Sequence, residues 1–128
     1  MLFNNKGIID ATKVGNTCLQ ARDKEDSDWL GNLTRSEDCL VLNIWSEKRE
    51  NNSTKLKPVM FLIPGGGLSI GSIFQEFYNG SVLATNDVVF ASVNYRLANF
   101  GLLYGGVESA PGNVGLFDQT LGLKWVCI

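Results

Sequence analysis

Three short, mostly apolar runs set the frame: LVLNIW at 40–45, PVMFLI at 58–63 and VVFASV at 88–93. Each is too short for a helix and is closed by Pro, Gly or polar residues, so each reads as a strand. None alternates apolar with polar, the habit of strands buried on both faces of a parallel sheet. Between the second and third runs, residues 74–84 carry Phe74, Phe77, Tyr78 and Val82 at a helix-like spacing. After the third, residues 114–126 read as a longer helix, with Asn113 as its N-cap. Leu116, Phe117, Leu121 and the Lys124 stem mark its apolar face. Residues 1–36, including the charged stretch DKEDSD at 23–28, hold no strong periodicity, and residues 46–57 read as a polar surface turn. Strand, helix, strand, helix after an opening strand is an α/β rhythm. Such folds bind ligands beyond the carboxyl ends of their strands.

The 128 residues suffice for one domain. With 45% hydrophobic and 19% charged residues the chain is globular rather than disordered. A net charge of -2 with scattered basic residues leaves no footprint for nucleic acid. No apolar run reaches the roughly 18 residues of a membrane span, and MLFNNKGIIDATK lacks the pattern of a signal peptide. Nothing points to a cofactor or a metal. The chain contains no histidine, so a Ser-His-acid triad cannot be assembled from it alone.

Cys18 and Cys39 are 39 − 18 = 21 positions apart in a polar, turn-rich region, with Cys127 left over. A bridge there would contribute about 3 kcal/mol. Two unrelated thiols fit the residues equally well. Asn32, Asn52 and Asn79 each open an N-x-[ST] sequon, which leans toward the secretory route.

The glycine-rich stretch PGGGLSIGS at 64–72 admits two chemistries. Gly67-Leu68-Ser69-Ile70-Gly71 spells G-x-S-x-G, the nucleophile elbow of serine hydrolases. An elbow needs a strand, a sharp turn at Ser and an immediate helix. Here Ser69 follows the strand end by six residues, IGSIF starts a helix poorly, and no His can activate the hydroxyl. The three glycines beforehand fit the other chemistry, backbone N–H groups aimed at an oxyanion. A phosphate loop is disfavoured because G-K-[ST] is missing. From the loop alone, a plain turn and an oxyanion loop stand level.

Five segments in order add a resemblance: SEDCLVLNIW at 36–45, PVMFLIPGGG at 58–67, FYNGSVLA at 77–84, VNYRLANFG at 93–101 and APGNVGLFDQTLGLKWV at 110–126. Together they resemble the type-B carboxylesterase and cholinesterase family over nearly the whole chain, from about residue 10 to residue 126. The resemblance implies an α/β-hydrolase fold, mostly parallel with flanking helices, with residues 1–128 forming a partial domain. It makes Gly66 and Gly67 the oxyanion-hole donors and Ser69 an ordinary loop residue. It pairs Cys18 with Cys39, ties Arg96 to Asp118 in a structural ion pair, and puts Phe117 and Trp125 in the core. Pro64 departs from the family, which commonly has His or an aromatic residue before the glycines. The family's G-E-S-A-G nucleophile segment lies beyond the helix at 114–126, and its acid and His beyond that. The domain is therefore expected to lack its opening hairpins and its catalytic C-terminal part.

The resulting expectation is a partial carboxylesterase-like domain whose parent hydrolyses small-molecule carboxylic esters through a serine acyl-enzyme. The chain alone is expected to be inactive, and the parent to enter the secretory pathway. The alternative is a non-catalytic, cholinesterase-like adhesion or binding module, a use this family also has.

Overall fold

The computed structural model describes residues 10–21, 30–48 and 56–127. The charged stretch at 23–28 and the sequon residue Asn52 lie outside the described residues. All three apolar runs form strands, each trimmed at one or both ends: β3 (Leu42–Trp45), β4 (Val59–Leu62) and β5 (Val89–Val93). They make one sheet in the order β3-β5-β4. β4 runs parallel to β5, with Phe61 opposite Ala91, and β3 runs antiparallel to it, with Asn43 opposite Ser92. The sheet is therefore mixed, where apolar runs without alternation pointed to a mostly parallel one. The short pair β1 (Thr17–Cys18) and β2 (Arg35–Ser36) is parallel. β6 (Tyr104–Val107) and β7 (Ala110–Pro111) form a small antiparallel ribbon.

β5 is the axis of the molecule. Phe90, Ala91, Ser92 and Val93 are all buried, and the strand runs straight on into buried Asn94 and Tyr95. The Asn94 side chain accepts from the Ile73 N–H and donates to the Asn16 carbonyl, joining segments remote in sequence to the end of β5. The two outer strands are less enclosed. Val59 and Met60 of β4 and Ile44 of β3 are exposed, because among the described residues each strand has a neighbour, β5, on one side only.

The segment 74–84 is not one helix. It forms a 3₁₀ turn (Glu76–Tyr78), then α1 (Ser81–Ala84). The break falls at Asn79–Gly80, where a side chain on Gly80 would run into the Phe90 ring. α2 (Ala98–Leu102) follows β5, and α3 (Val114–Val126) has the bounds the sequence predicts. Asn113 does precede α3, but it sits in the left-handed region (φ 56) and makes no side-chain cap.

α3 also turns the opposite face inward. Gly115, Asp118 and Gly122 are buried, while Leu116, Phe117, Leu121 and Trp125 are exposed. The backbone lies too close to the sheet for side chains there: a Cβ on Gly122 would come within 2.6 Å of a Val93 methyl. Phe117 and Trp125 are thus not core residues of this structure.

The open side of β4 carries apolar side chains and no charge, the arrangement that recruits other strands. The 128-residue chain is expected to self-associate, giving concentration-dependent oligomers by size-exclusion chromatography with light scattering. Met60→Lys, which places a charge on that edge, should shift the distribution toward monomer. A native chain that stays monomeric at every concentration would count against this reading of the edge.

Candidate functional site

β4 delivers the chain through Ile63 and Pro64 into the three glycines. Gly66 (φ 131) and Gly67 (φ 59) take conformations that L side chains rarely adopt. At Gly66 the requirement is also steric, since a Cβ there would strike the Ile70 carbonyl. The Gly66 carbonyl accepts from the N–H groups of Ser69 (3.1 Å) and Ile70 (3.2 Å), which closes a tight turn. The N–H groups of Gly66 and Gly67 have no acceptor among the described residues, and both glycines are exposed. Two adjacent unspent donors beyond the carboxyl end of a strand can bind an anionic or carbonyl oxygen.

The loop is held from several sides. Buried Tyr95 donates its hydroxyl to the Pro64 carbonyl at 3.0 Å. The Gly65 N–H donates to the Tyr78 hydroxyl at 3.1 Å. At the far end the Gln20 amide meets the backbone of Gly71, accepting from its N–H and donating to its carbonyl, both at 2.9 Å. At the tip, the Leu68 carbonyl accepts from the Ala98 N–H at 2.8 Å. The Leu68 side chain packs on the buried cluster of Cys18, Cys39, Tyr95 and Leu97. Gln20, Tyr78 and Tyr95 escape sequence reading, because one side chain bonded to one backbone group leaves no spacing pattern. Pro64 is buried and engages the loop's support through its carbonyl, not through the N–H that proline lacks.

Ser69 is exposed in the turn, and its hydroxyl donates to the Gly67 carbonyl at 3.2 Å. No helix follows it directly and no His exists in the chain to draw off its proton. It has the surroundings of a loop hydroxyl.

Cys18 and Cys39 form a disulfide with a Cα–Cα distance of 4.9 Å, and Cys127 is free and exposed. Beside the disulfide lies a cleft of about 290 Å³, bounded by Ser36, Glu37, Leu40, Arg96, Leu97 and Phe100.

Arg96 and Asp118 meet at the junction of β5, α2 and α3. Asp118 accepts from the Arg96 Nε (2.7 Å), Nη2 (2.7 Å) and backbone N–H (3.1 Å). The hydrogen bond to Asp118 raises the guanidinium above its ordinary value, so it stays charged. Gly101 and Gly115 both abut the Arg96 carbonyl, where neither could carry a Cβ. The sequon residues Asn32 and Asn79 are both exposed. Among the described residues no helix is long and apolar enough to cross a membrane. No three His, Cys, Asp or Glu side chains among them group closely enough to hold a metal ion.

The sequence profile of the carboxylesterase family matches residues 4–127. The chain belongs to that family. It is 43% identical over 128 residues to acetylcholinesterase 4 of Caenorhabditis briggsae, covering 94% of this chain and 20% of that protein. It is 42% identical to the acetylcholinesterase of Danio rerio over 134 residues, covering 97% of this chain and 20% of that protein. Against the acetylcholinesterase of Gallus gallus it is 40% identical over 128 residues, covering 94% of this chain and 16% of that protein. The chain thus spans about a fifth of the length of the curated relatives it matches.

Two predictions follow from the geometry. Asp118 is buried, whereas the Arg96 side chain is 39% exposed. Arg96→Met strands a buried carboxylate and should cost about 3–5 kcal/mol. Asp118→Asn leaves a guanidinium that can reach water and should cost less. Urea denaturation of the two variants checks the order. Burial, with the nearby Tyr78 adding to it, pushes the Tyr95 hydroxyl above its ordinary value. A raised folded-state value means that Tyr95 contributes fully below about pH 10. The contribution is lost as pH rises through the raised value. Urea midpoints should therefore drop on the alkaline side, and Tyr95→Phe should flatten that drop while costing about 1 kcal/mol at neutral pH.

Proposed function

We propose that this chain carries the oxyanion loop of an ester-hydrolysing domain built on an incomplete α/β-hydrolase sheet. Gly66 and Gly67 donate their N–H groups to the oxygen that becomes negative when a small-molecule carboxylic ester is attacked. The observation that carries this reading is the pair of N–H groups, unspent among the described residues, of two exposed glycines on a braced turn beyond the end of β4. Membership of the carboxylesterase family supports the substrate class. The attacking serine, its base and the acid are not supplied by this chain, so ester hydrolysis is an activity of the parent protein. The parent follows the secretory route, a reading supported by the disulfide and by the exposed Asn32 and Asn79, which are proposed glycosylation sites. Arg96 and Asp118 act as the structural ion pair of the domain.

The 128-residue chain alone is expected to show no turnover of an activated aryl ester above buffer. It should also take no label from a fluorophosphonate probe. Labelling at Ser69 would overturn the assignment of that residue. The donor role is tested by grafting residues 10–127 over the matching segment of the Caenorhabditis briggsae acetylcholinesterase. Gly67→Ala is the informative variant, because a Cβ there meets nothing within 4 Å and the fold pays only for the positive φ. It keeps the N–H but opposes the positive φ that aims it, so kcat should fall by about tenfold with a smaller effect on KM. An active graft indifferent to Gly67→Ala would count against a donor aimed by the positive φ of Gly67. A graft that folds and binds ligand but does not turn over would favour a binding module of the cholinesterase-like kind.

A further inference from the structure

We propose that Gln20 is the positioning residue of the glycine loop, fixing where Gly66 and Gly67 present their N–H groups. Its importance for catalysis rests on the oxyanion reading above, but its effect on the loop does not.

The two ends of the glycine loop are held differently. The incoming end leaves β4 and has two anchors, Tyr95 on the Pro64 carbonyl and Tyr78 on the Gly65 N–H. The outgoing end, at Gly71, lies in no helix or strand and takes a positive φ of 125. Its N–H and its carbonyl are both bonded to one side chain, the Gln20 amide. A primary amide is suited to this task. It offers a donor and an acceptor side by side, matching the donor and acceptor of a single residue's backbone. The bonds also fix which way the amide points. A flipped amide would set oxygen against the Gly71 carbonyl and NH₂ against its N–H.

Gln20 can act as a fixed point because it is itself fixed. Its Nε2 also lies 3.2 Å from the Thr17 hydroxyl and 3.2 Å from the Cys18 carbonyl. Thr17 and Cys18 are buried in β1, and Cys18 is bridged to Cys39. The amide therefore relays the position of a crosslinked strand to the loop, across 51 residues of sequence. Between Gly66 and Gly71 the chain is a closed turn, with the Gly66 carbonyl bonded to Ser69 and Ile70. A displacement of Gly71 is then carried back to Gly66 and Gly67 and is not absorbed by slack.

Backbone amide exchange and ¹H–¹⁵N chemical shifts of the ¹⁵N-labelled chain test this, with β5 amides as the control for folding. Gln20→Leu removes both bonds to Gly71. Gln20→Glu keeps the acceptor for the Gly71 N–H and replaces the donor. The Gly71 amide should exchange at least tenfold faster in Gln20→Leu and by an intermediate amount in Gln20→Glu. The Gly66 and Gly67 resonances should move in the same order, with β5 protection unchanged. Unchanged Gly66 and Gly67 resonances in Gln20→Leu would overturn the proposal. So would loss of β5 protection in both variants, which would make Gln20 a general core residue. In the graft described above, Gln20→Leu should lower kcat more than it raises KM. A graft that is inactive with Gln20 intact counts against the oxyanion reading, and the amide measurements still decide the role of Gln20.

Discussion

The contact between Arg96 and Asp118 joins the two halves of the architecture. On one side is β5, which ends in the buried run through Tyr95. On the other is α3, which could not approach so closely if position 115 or 122 carried a side chain. Asp118 answers three donors of a single residue, its backbone N–H included, so it fixes the turn after β5 as well as the side chain. The Arg96 carbonyl is the surface on which Gly101 and Gly115 rest, bringing α2 and α3 together above the same residue. In this half-buried pair desolvation of Asp118 offsets much of the attraction, so its main effect is on geometry. Here the specified geometry is the direction in which the chain leaves the sheet.

The glycine loop depends on a second hub. The cluster of Cys18, Cys39, Tyr95 and Leu97 supports Leu68 at the loop tip, and Tyr95 from the same cluster reaches the Pro64 carbonyl. The disulfide is thus more than a staple on a surface segment. It forms part of the floor beneath the loop, and through β1 it also seats Gln20. Ala98, two residues beyond Arg96, donates to the Leu68 carbonyl, so the ion-pair hub and the disulfide hub meet at the loop.

Much of this was legible beforehand, and the failures have physical causes. The three apolar runs became strands because apolar residues closed by Pro and Gly have few other ways to be buried. The helix at 114–126 was found with its bounds, yet its face was read inverted. Leu116, Phe117 and Leu121 form the stripe that hydrophobicity alone selects. The packed stripe is Gly115, Asp118 and Gly122, chosen for smallness and for a bond to Arg96. Gly115, Asp118 and Gly122 stand three and four positions apart in the sequence, the spacing of one helix face. The break at Gly80 was hidden, because it answers to Phe90, which is distant in sequence. Gly66 and Gly67 are proposed as donors through the resemblance, while the side chains that hold their loop left no signal in the sequence. Hydrogen bonds from a Gln or Tyr to distant backbone leave no trace in residue order.

The strand order has a consequence for how the chain comes into being. β5 lies between β3 and β4 in space but follows both in sequence. Asn43 waits for Ser92, 92 − 43 = 49 residues later, before it has the neighbour it faces in the sheet. At roughly 5–20 residues per second on a ribosome, that interval is about 2–10 s. Through it, two apolar segments exist without the strand that joins them, and neither can substitute for it by pairing with the other in the native arrangement. Emergence of VFASV is thus the event that converts a set of unpaired segments into a sheet. Anything that binds the nascent chain before residue 93 competes with the sheet itself.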